Sequence, residues 1–208
     1  RRTPAQAGRR AIRASLAATA LGLAALSAGA QADHVAAESA AALTPIPALD
    51  LPRYLGHWYE IAKYPNRFQK QCVSDTQADY RLLPDGMLRV LNRCRLADGN
   101  ADVAVGMARQ LGGADSARLE VRFAPAWLSF IPAVWGDYWV VDLDPDYQLA
   151  AVSEPRREFL WILARQPEVD AAAYAALLER LAGMGFDLGR LVKTTHGDGS
   201  DAAAQPAP

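Results

Sequence analysis

Three histidines, two cysteines and 23 carboxylate side chains are the groups from which this 208-residue chain would have to assemble an active site. Their spacing does not assemble one. Catalysis needs a nucleophile, a base or a metal in a workable constellation. His34 and His196 stand at the edges of the patterned stretch, and His57 lies between Gly56 and Trp58. The sequence has no Gly-x-Ser-x-Gly elbow, no glycine-rich phosphate loop and no His-Glu-x-x-His run. Cys72 and Cys94 come without clustered histidines, whereas structural zinc takes four ligands. Neither a metal, a cofactor nor an enzymatic activity is therefore expected. Nucleic acid is not an expected partner either, because 22 Lys plus Arg balance 23 Asp plus Glu and the basic residues of the folded stretch are scattered.

Binding chemistry is better supplied. Trp135, Asp137, Trp139 and Val141 alternate along one run, and Phe159, Trp161, Leu163 and Arg165 along another. Each set shares one face of a strand. If those faces point inward they line a cavity with large aromatics, which suits an acyl chain or another flat or flexible apolar ligand. Glu60, two positions after Trp58, points inward by the same alternation. A bare buried carboxylate is too costly, so Glu60 pairs with a cation or meets a polar ligand group. The expected ligand-binding residues are Glu60, Phe123, Trp135, Trp139 and Trp161.

The elements that must position them are short strands joined by turns. Strand A runs from Gly56 to Tyr64, B from Val73 to Leu82, C from Met87 to Arg95 and D from Ala101 to Gln110. In strand E, Leu119, Val121 and Phe123 alternate with Glu120 and Arg122, the cleanest period-two signal in the chain. Strands F (Trp135 to Leu143), G (Gln148 to Val152) and H (Phe159 to Arg165) follow, separated by Asp144-Pro145-Asp146 and Glu154-Pro155-Arg156. Asp170 caps a helix on which Tyr174, Leu177, Leu178 and Leu181 share a face, and Gly183 or Gly185 stops it. Between E and F, Ala124 to Val134 packs Pro125, Trp127, Leu128, Phe130, Ile131 and Pro132 into one connection. Two prolines argue against a central strand there. Trp127 and Phe130 make this loop a candidate contact with a membrane surface or a second copy in a homodimer. Phe68 in the loop after strand A is a candidate lid residue.

Asp50, Arg53-Tyr54-x-Gly56-x-Trp58-Tyr59, then Gly136 to Asp144, then Leu160 to Arg165, resemble, in order, the three motifs of the lipocalin family. In wording the chain is most similar to the bacterial subgroup of outer-membrane lipoproteins, which is itself similar to apolipoprotein D. The resemblance runs from about Leu49 to His196. It implies an all-β fold, an eight-stranded antiparallel up-and-down barrel with the C-terminal amphipathic helix packed outside. Periodicity alone leaves a sandwich or an open sheet open. Gly56, Trp58 and Arg165 are the expected barrel-closing residues, with the guanidinium stacked on the buried indole as a lid.

The ends read differently. Residues 1–32 resemble a signal peptide: Arg1, Arg2, Arg9, Arg10 and Arg13 precede an apolar run from Ala14 to Ala28, and Ala30-Gln31-Ala32 offers a cleavage site. Arg9-Arg10 leaves export by the Sec or the twin-arginine route open. Residues 33–48 are an extended lead-in, 49–196 the barrel domain and 197–208 a tail with the composition of disorder. The subgroup's lipid-attachment cysteine is missing at the cleavage site, where Ala32 and Asp33 stand. A periplasmic or secreted protein, soluble after processing and without a lipid anchor, is expected. In that compartment two cysteines suggest one structural disulfide, Cys72 to Cys94. A regular hairpin through Pro84-Asp85-Gly86 would instead set Cys94 opposite about residue 76, so a bridge requires the chain before strand B to fold back.

The expected function is binding and transport or storage of an amphipathic lipid, a fatty acid or lysophospholipid, in the cavity of a periplasmic lipocalin. The alternatives are a carrier of a tetrapyrrole or other small hydrophobic ligand, and a dimerising protein that uses its aromatic loop.

Overall fold

The computed structural model describes residues 41–197. The expected signal peptide, the first part of the lead-in and all but the first residue of the tail lie outside the described residues.

Residues 41–49 form no regular element but are pinned to the barrel. The Ile46 amide donates to the Val140 carbonyl at 2.9 Å and the Leu49 amide to the Asp115 carbonyl at 2.7 Å. One turn of helix, α1 (Leu51–Tyr54), follows, with Pro52 in its first turn and the Asp50 side chain accepting from the Arg53 amide. Then come β1 (Gly56–Lys63), β2 (Cys72–Leu82), β3 (Leu88–Leu96), β4 (Ala101–Gln110), β5 (Arg118–Arg122), β6 (Gly136–Leu143), β7 (Leu149–Ser153) and β8 (Leu160–Ala164). Every neighbour in the order β2 to β8 and on to β1 pairs antiparallel, and β1 pairs β2 to close the ring. Helix α2 (Ala171–Gly183) and a short β9 (Val192–Lys193) alongside β1 complete the chain. The closed eight-stranded barrel with one C-terminal helix outside is the architecture that the sequence implied.

Two apolar layers follow from the alternation. Trp58, Tyr80, Val90, Leu119, Val140 and Val152 belong to the cluster that fills the barrel. Ala62, Val141, Ile162, Leu177, Leu181 and Phe186 belong to a second cluster, between the outer barrel wall and α2. Strands β7 and β8 are covered on both faces, and every residue of β7 is buried. Arg180 on α2 clamps this outer layer with two bonds to Asp142, at 2.7 and 2.8 Å.

Three strands depart from regular pairing. In β1 the register shifts between Glu60 and Ala62, so Glu60 faces Leu163 while Lys63 faces Trp161. In β6 it shifts between Val140 and Asp142. In β2 it shifts twice, between Cys72 and Ser74 and again before Gln77. The last pair of shifts resolves the cysteine geometry: Cys72 and Cys94 form a disulfide with their Cα atoms 5.5 Å apart. Asp75, within the second shift, has φ of 53°.

Candidate functional site

The barrel is closed at the end where β1 begins. Trp58 is fully buried there, and its indole N–H donates to the Tyr54 carbonyl at 2.8 Å. Gly56 enters the strand with φ of 92°, a conformation that a side chain would disfavour. Arg165, just past β8, lays its guanidinium carbon 3.9 Å from the centre of the Trp58 indole. Gly56, Trp58 and Arg165 thus meet at this end, with an added Cβ at Gly56 falling 3.6 Å from the Arg165 guanidinium.

Above that floor three tyrosines meet. Tyr54 comes from α1, Tyr80 from β2 and Tyr138 from β6. The Tyr138 hydroxyl lies 2.8 Å from that of Tyr54 and 2.9 Å from that of Tyr80. Burial pushes all three phenols up, Tyr80 to about 12. They share a small void with Leu51, Leu88, Val90, Ala108, Leu119 and Val121, of about 10 Å³, room for about one oxygen atom.

At the opposite, open end the β1 bulge does specific work. By shifting the register it puts Lys63 on the same face as Glu60 and Trp161. Glu60 is 2% exposed, and its carboxylate is fully engaged. One oxygen accepts from Lys63 Nζ at 2.8 Å and from the Thr194 hydroxyl at 2.6 Å; the other accepts from Gln69 Nε2 at 2.6 Å. Gln69 Oε1 in turn accepts from the Trp161 indole N–H at 2.9 Å. Of the two readings open for Glu60, the structure shows the cation pairing, with Lys63 as the cation. Sequence reasoning missed Lys63 because unbroken alternation from Glu60 would turn it outward.

An aromatic rim surrounds this neck. Phe159 stacks on Trp161 with ring centres 5.8 Å apart, and Phe68 lies 5.6 Å from Phe159. Phe123, just past β5, lies over Gly106, where an added Cβ would come within 2.8 Å of its ring. Gly106 pairs with the inward Val90, so Phe123 stands on the lumen side of the rim.

Trp135 and Trp139 lie elsewhere, and the expectation that they line the cavity is corrected. They do share a face, but it is the outer one: Trp139 pairs with Arg118, while the neighbouring Tyr138 pairs with the inward Leu119. Trp139 packs against the outer cluster beneath α2. Trp135 is held between guanidiniums, 4.3 Å from that of Arg109 and 5.2 Å from that of Arg122, with its N–H on the Ser129 carbonyl. The lumen position on β6 belongs to Tyr138. Trp127 and Phe130, in the loop before β6, are 72% and 77% exposed.

A strap closes the seam where β2 leaves β1. The Asp75 carboxylate accepts from the Gly197 amide at 2.7 Å, from the Ser74 hydroxyl at 2.7 Å and from Arg95 at 3.2 Å. The Asp75 amide donates to the Thr195 carbonyl at 2.9 Å, and His196 Nε2 lies 2.8 Å from the Glu60 carbonyl.

A groove of about 540 Å³ lies outside the barrel, between α2 and the β6–β7 turn. Three of the four acids that line it serve the fold: Asp142 holds Arg180, Asp144 accepts turn amides and Asp170 caps α2. Among the described residues no group of three or more potential metal ligands converges, and no helix is long and apolar enough to cross a membrane.

A closed antiparallel barrel with an aromatic mouth, a stacked arginine under its floor and a helix on its flank defines a barrel of the ligand-binding kind. Residues 49–196 match the family model described as a lipocalin-like domain, and the chain belongs to the lipocalin family, which binds small hydrophobic ligands. Temperature-induced lipocalin-1 of Arabidopsis thaliana is 41% identical over 155 residues, covering 74% of this chain and 82% of that protein. The outer membrane lipoprotein Blc of Vibrio cholerae is 35% identical over 150 residues, covering 71% and 83%. Among solved structures, insecticyanin from the tobacco hornworm Manduca sexta superposes with a TM-score of 0.58 at 17% identity, covering 76% of this chain and 86% of that one.

Proposed function

We propose that the barrel binds an amphipathic lipid, a fatty acid or a lysophospholipid, for transport or storage in the periplasm. The observation that carries this reading is the Glu60–Lys63 pair set beside Trp161 in the neck of the barrel. An acyl chain enters past Trp161, Phe159 and Phe123, and each buried methylene contributes roughly 0.8 kcal/mol. Lys63 uses one of its N–H groups on Glu60 and has others to offer an anionic headgroup held at the neck. No chemical step is required. The disulfide and the basic, apolar N-terminal residues support an oxidising compartment, and the name of the Vibrio relative places that protein at the outer membrane. Trp127 and Phe130 form the surface through which the mouth meets a membrane and exchanges ligand.

Native mass spectrometry of the protein from its own host, with solvent extraction of what accompanies it, tests the reading. A bound fatty acid or lysophospholipid supports it. A barrel that arrives empty and ignores added lipids overturns it.

A further inference from the structure

The hydrogen bonds of the tyrosine cluster do not use up its donors. Tyr54, Tyr80 and Tyr138 bring three hydroxyl protons and make two bonds, both through Tyr138. Tyr138 has one proton to give. If it accepts from both neighbours, its own proton remains; if it donates to one, that neighbour's proton remains. Among the described residues no acceptor takes the third.

The surroundings say what should take it. The void beside the hydroxyls is lined otherwise by Leu51, Leu88, Val90, Ala108, Leu119 and Val121. No cation lines it, so a carboxylate would sit there uncompensated. A neutral oxygen, as in a ketone, aldehyde, ester or ether, would accept the proton without that cost. Phenylalanines would fill the same space with no donor left unmade, and a buried donor without an acceptor is the more costly state. The inward positions of β4 between the mouth and the void are the small Ala104, Gly106 and Ala108, and Phe123, lying over Gly106, has to swing aside for a chain to reach the base.

We propose that Tyr54, Tyr80 and Tyr138 form a hydrogen-bond donor subsite at the base of the lumen for a neutral oxygen near the buried end of the ligand. The preferred ligands are then lipids oxygenated toward the tail rather than plain acyl chains. This rests on the lumen binding proposed above.

Removing one tyrosine does not test it: without Tyr54 or Tyr80 two hydroxyls share one bond and leave one proton, and without Tyr138 both remaining hydroxyls keep theirs. The variant that does is the triple Tyr54→Phe, Tyr80→Phe, Tyr138→Phe. The probes are hexadecanoic acid and its methyl-ketone analogue, with the oxygen beside the terminal methyl, titrated into the full chain. Wild type should prefer the ketone by about fivefold, the worth of one net hydrogen bond. The triple variant should lose that preference and hold hexadecanoic acid at least as well. The infrared stretch of a carbon-13 ketone should fall below its frequency in hexane when bound to wild type. Equal affinity of the two probes for wild type, a preference that survives in the triple variant, or an unshifted stretch overturns the subsite while lumen binding stands. The stretch in the wild-type complex decides the matter even where the triple variant fails to fold. If neither probe binds wild type, the lumen reading falls and the subsite with it.

Discussion

The Arg165 guanidinium covers the Trp58 indole at 3.9 Å and donates to two carbonyls, His57 and Arg53, each at 2.7 Å. A third bond, at 3.2 Å, reaches the Tyr147 carbonyl in the β6–β7 turn. One side chain therefore shields the ring and ties α1, the start of β1 and that turn together. Arg165→Ala should cost about 2–4 kcal/mol of stability, from the lost stacking and the stranded carbonyls. Arg165→Lys should recover only part, because an ammonium cannot fork to the same carbonyls. Lipid affinity should change little in either. Urea denaturation read beside a lipid titration checks this, and a variant that stays stable but cannot bind would remove Arg165 from its structural role.

Asp75 makes the seam strap acid-sensitive. Partial burial pushes its carboxyl up, but the Gly197 amide, the Ser74 hydroxyl and Arg95 together outweigh that and hold it below the ordinary 3.8. A carboxylate lowered in the folded state contributes its stability fully above its unfolded pKa and loses it as pH falls through the folded one. Wild type should therefore lose part of its margin below about pH 3.8. Asp75→Asn should be less stable at neutral pH and should approach wild type as both are acidified. Amide exchange at Gly197 should rise in the same range.

The tyrosine cluster gives the opposite edge of the pH range. Burial is the main cause that raises its phenols, Tyr80 from 10.0 to about 12. A raised acid stabilises the fold below its unfolded pKa and loses that contribution as pH climbs through the folded value. Stability should thus decline from pH 10 toward 12. Replacing all three tyrosines by phenylalanine should flatten this decline, and melting curves across the alkaline range measure it.

The strands, their turns and the helix were legible because one apolar face alternates with a wetter one, as in Leu119-Glu120-Val121-Arg122. Alternation shows which residues share a face, not which way it points. That ambiguity misplaced Trp139 on β6 and Trp135 just before it: α2 covers the outer wall at Trp139, so both faces of the strand carry apolar residues, and Trp135 is held outside by Arg109 and Arg122. On the companion run the stacking of Arg165 on Trp58 puts Trp161 and Leu163 on the lumen side, a constraint that β6 lacks. The Cys72–Cys94 pairing was legible from the cysteine count, but the strand course that allows it, like the inward turn of Lys63, was hidden for another reason. Both depend on bulges, and an extra residue in one strand leaves no mark in a period-two pattern. Tyr138 had a readable signal: once Trp139 faces out, its neighbour must face the lumen.

The two shifts in β2 also predict where the disulfide matters. Regular pairing continued from Gln77↔Arg93 would set Thr76 opposite Cys94. In the folded protein Thr76 is buried with its hydroxyl unpaired, and Asp75 takes a positive φ. The bridge to Cys94, 22 residues away, holds the start of the strand in that irregular course. Replacing both cysteines by serine should cost about 3 kcal/mol, the chain-entropy worth of a loop of this length. The loss should be local as well as global. Without the bridge, residues 72–77 can slide toward regular pairing, which withdraws Asp75 from Gly197 and loosens the strap over Glu60. Hydrogen exchange should then rise at Asp75 and Gly197, while amides beside Trp58 keep their protection relative to the lowered global stability. Exchange that rises equally at both ends would show that the bridge acts only on the unfolded chain, and would separate it from the mouth.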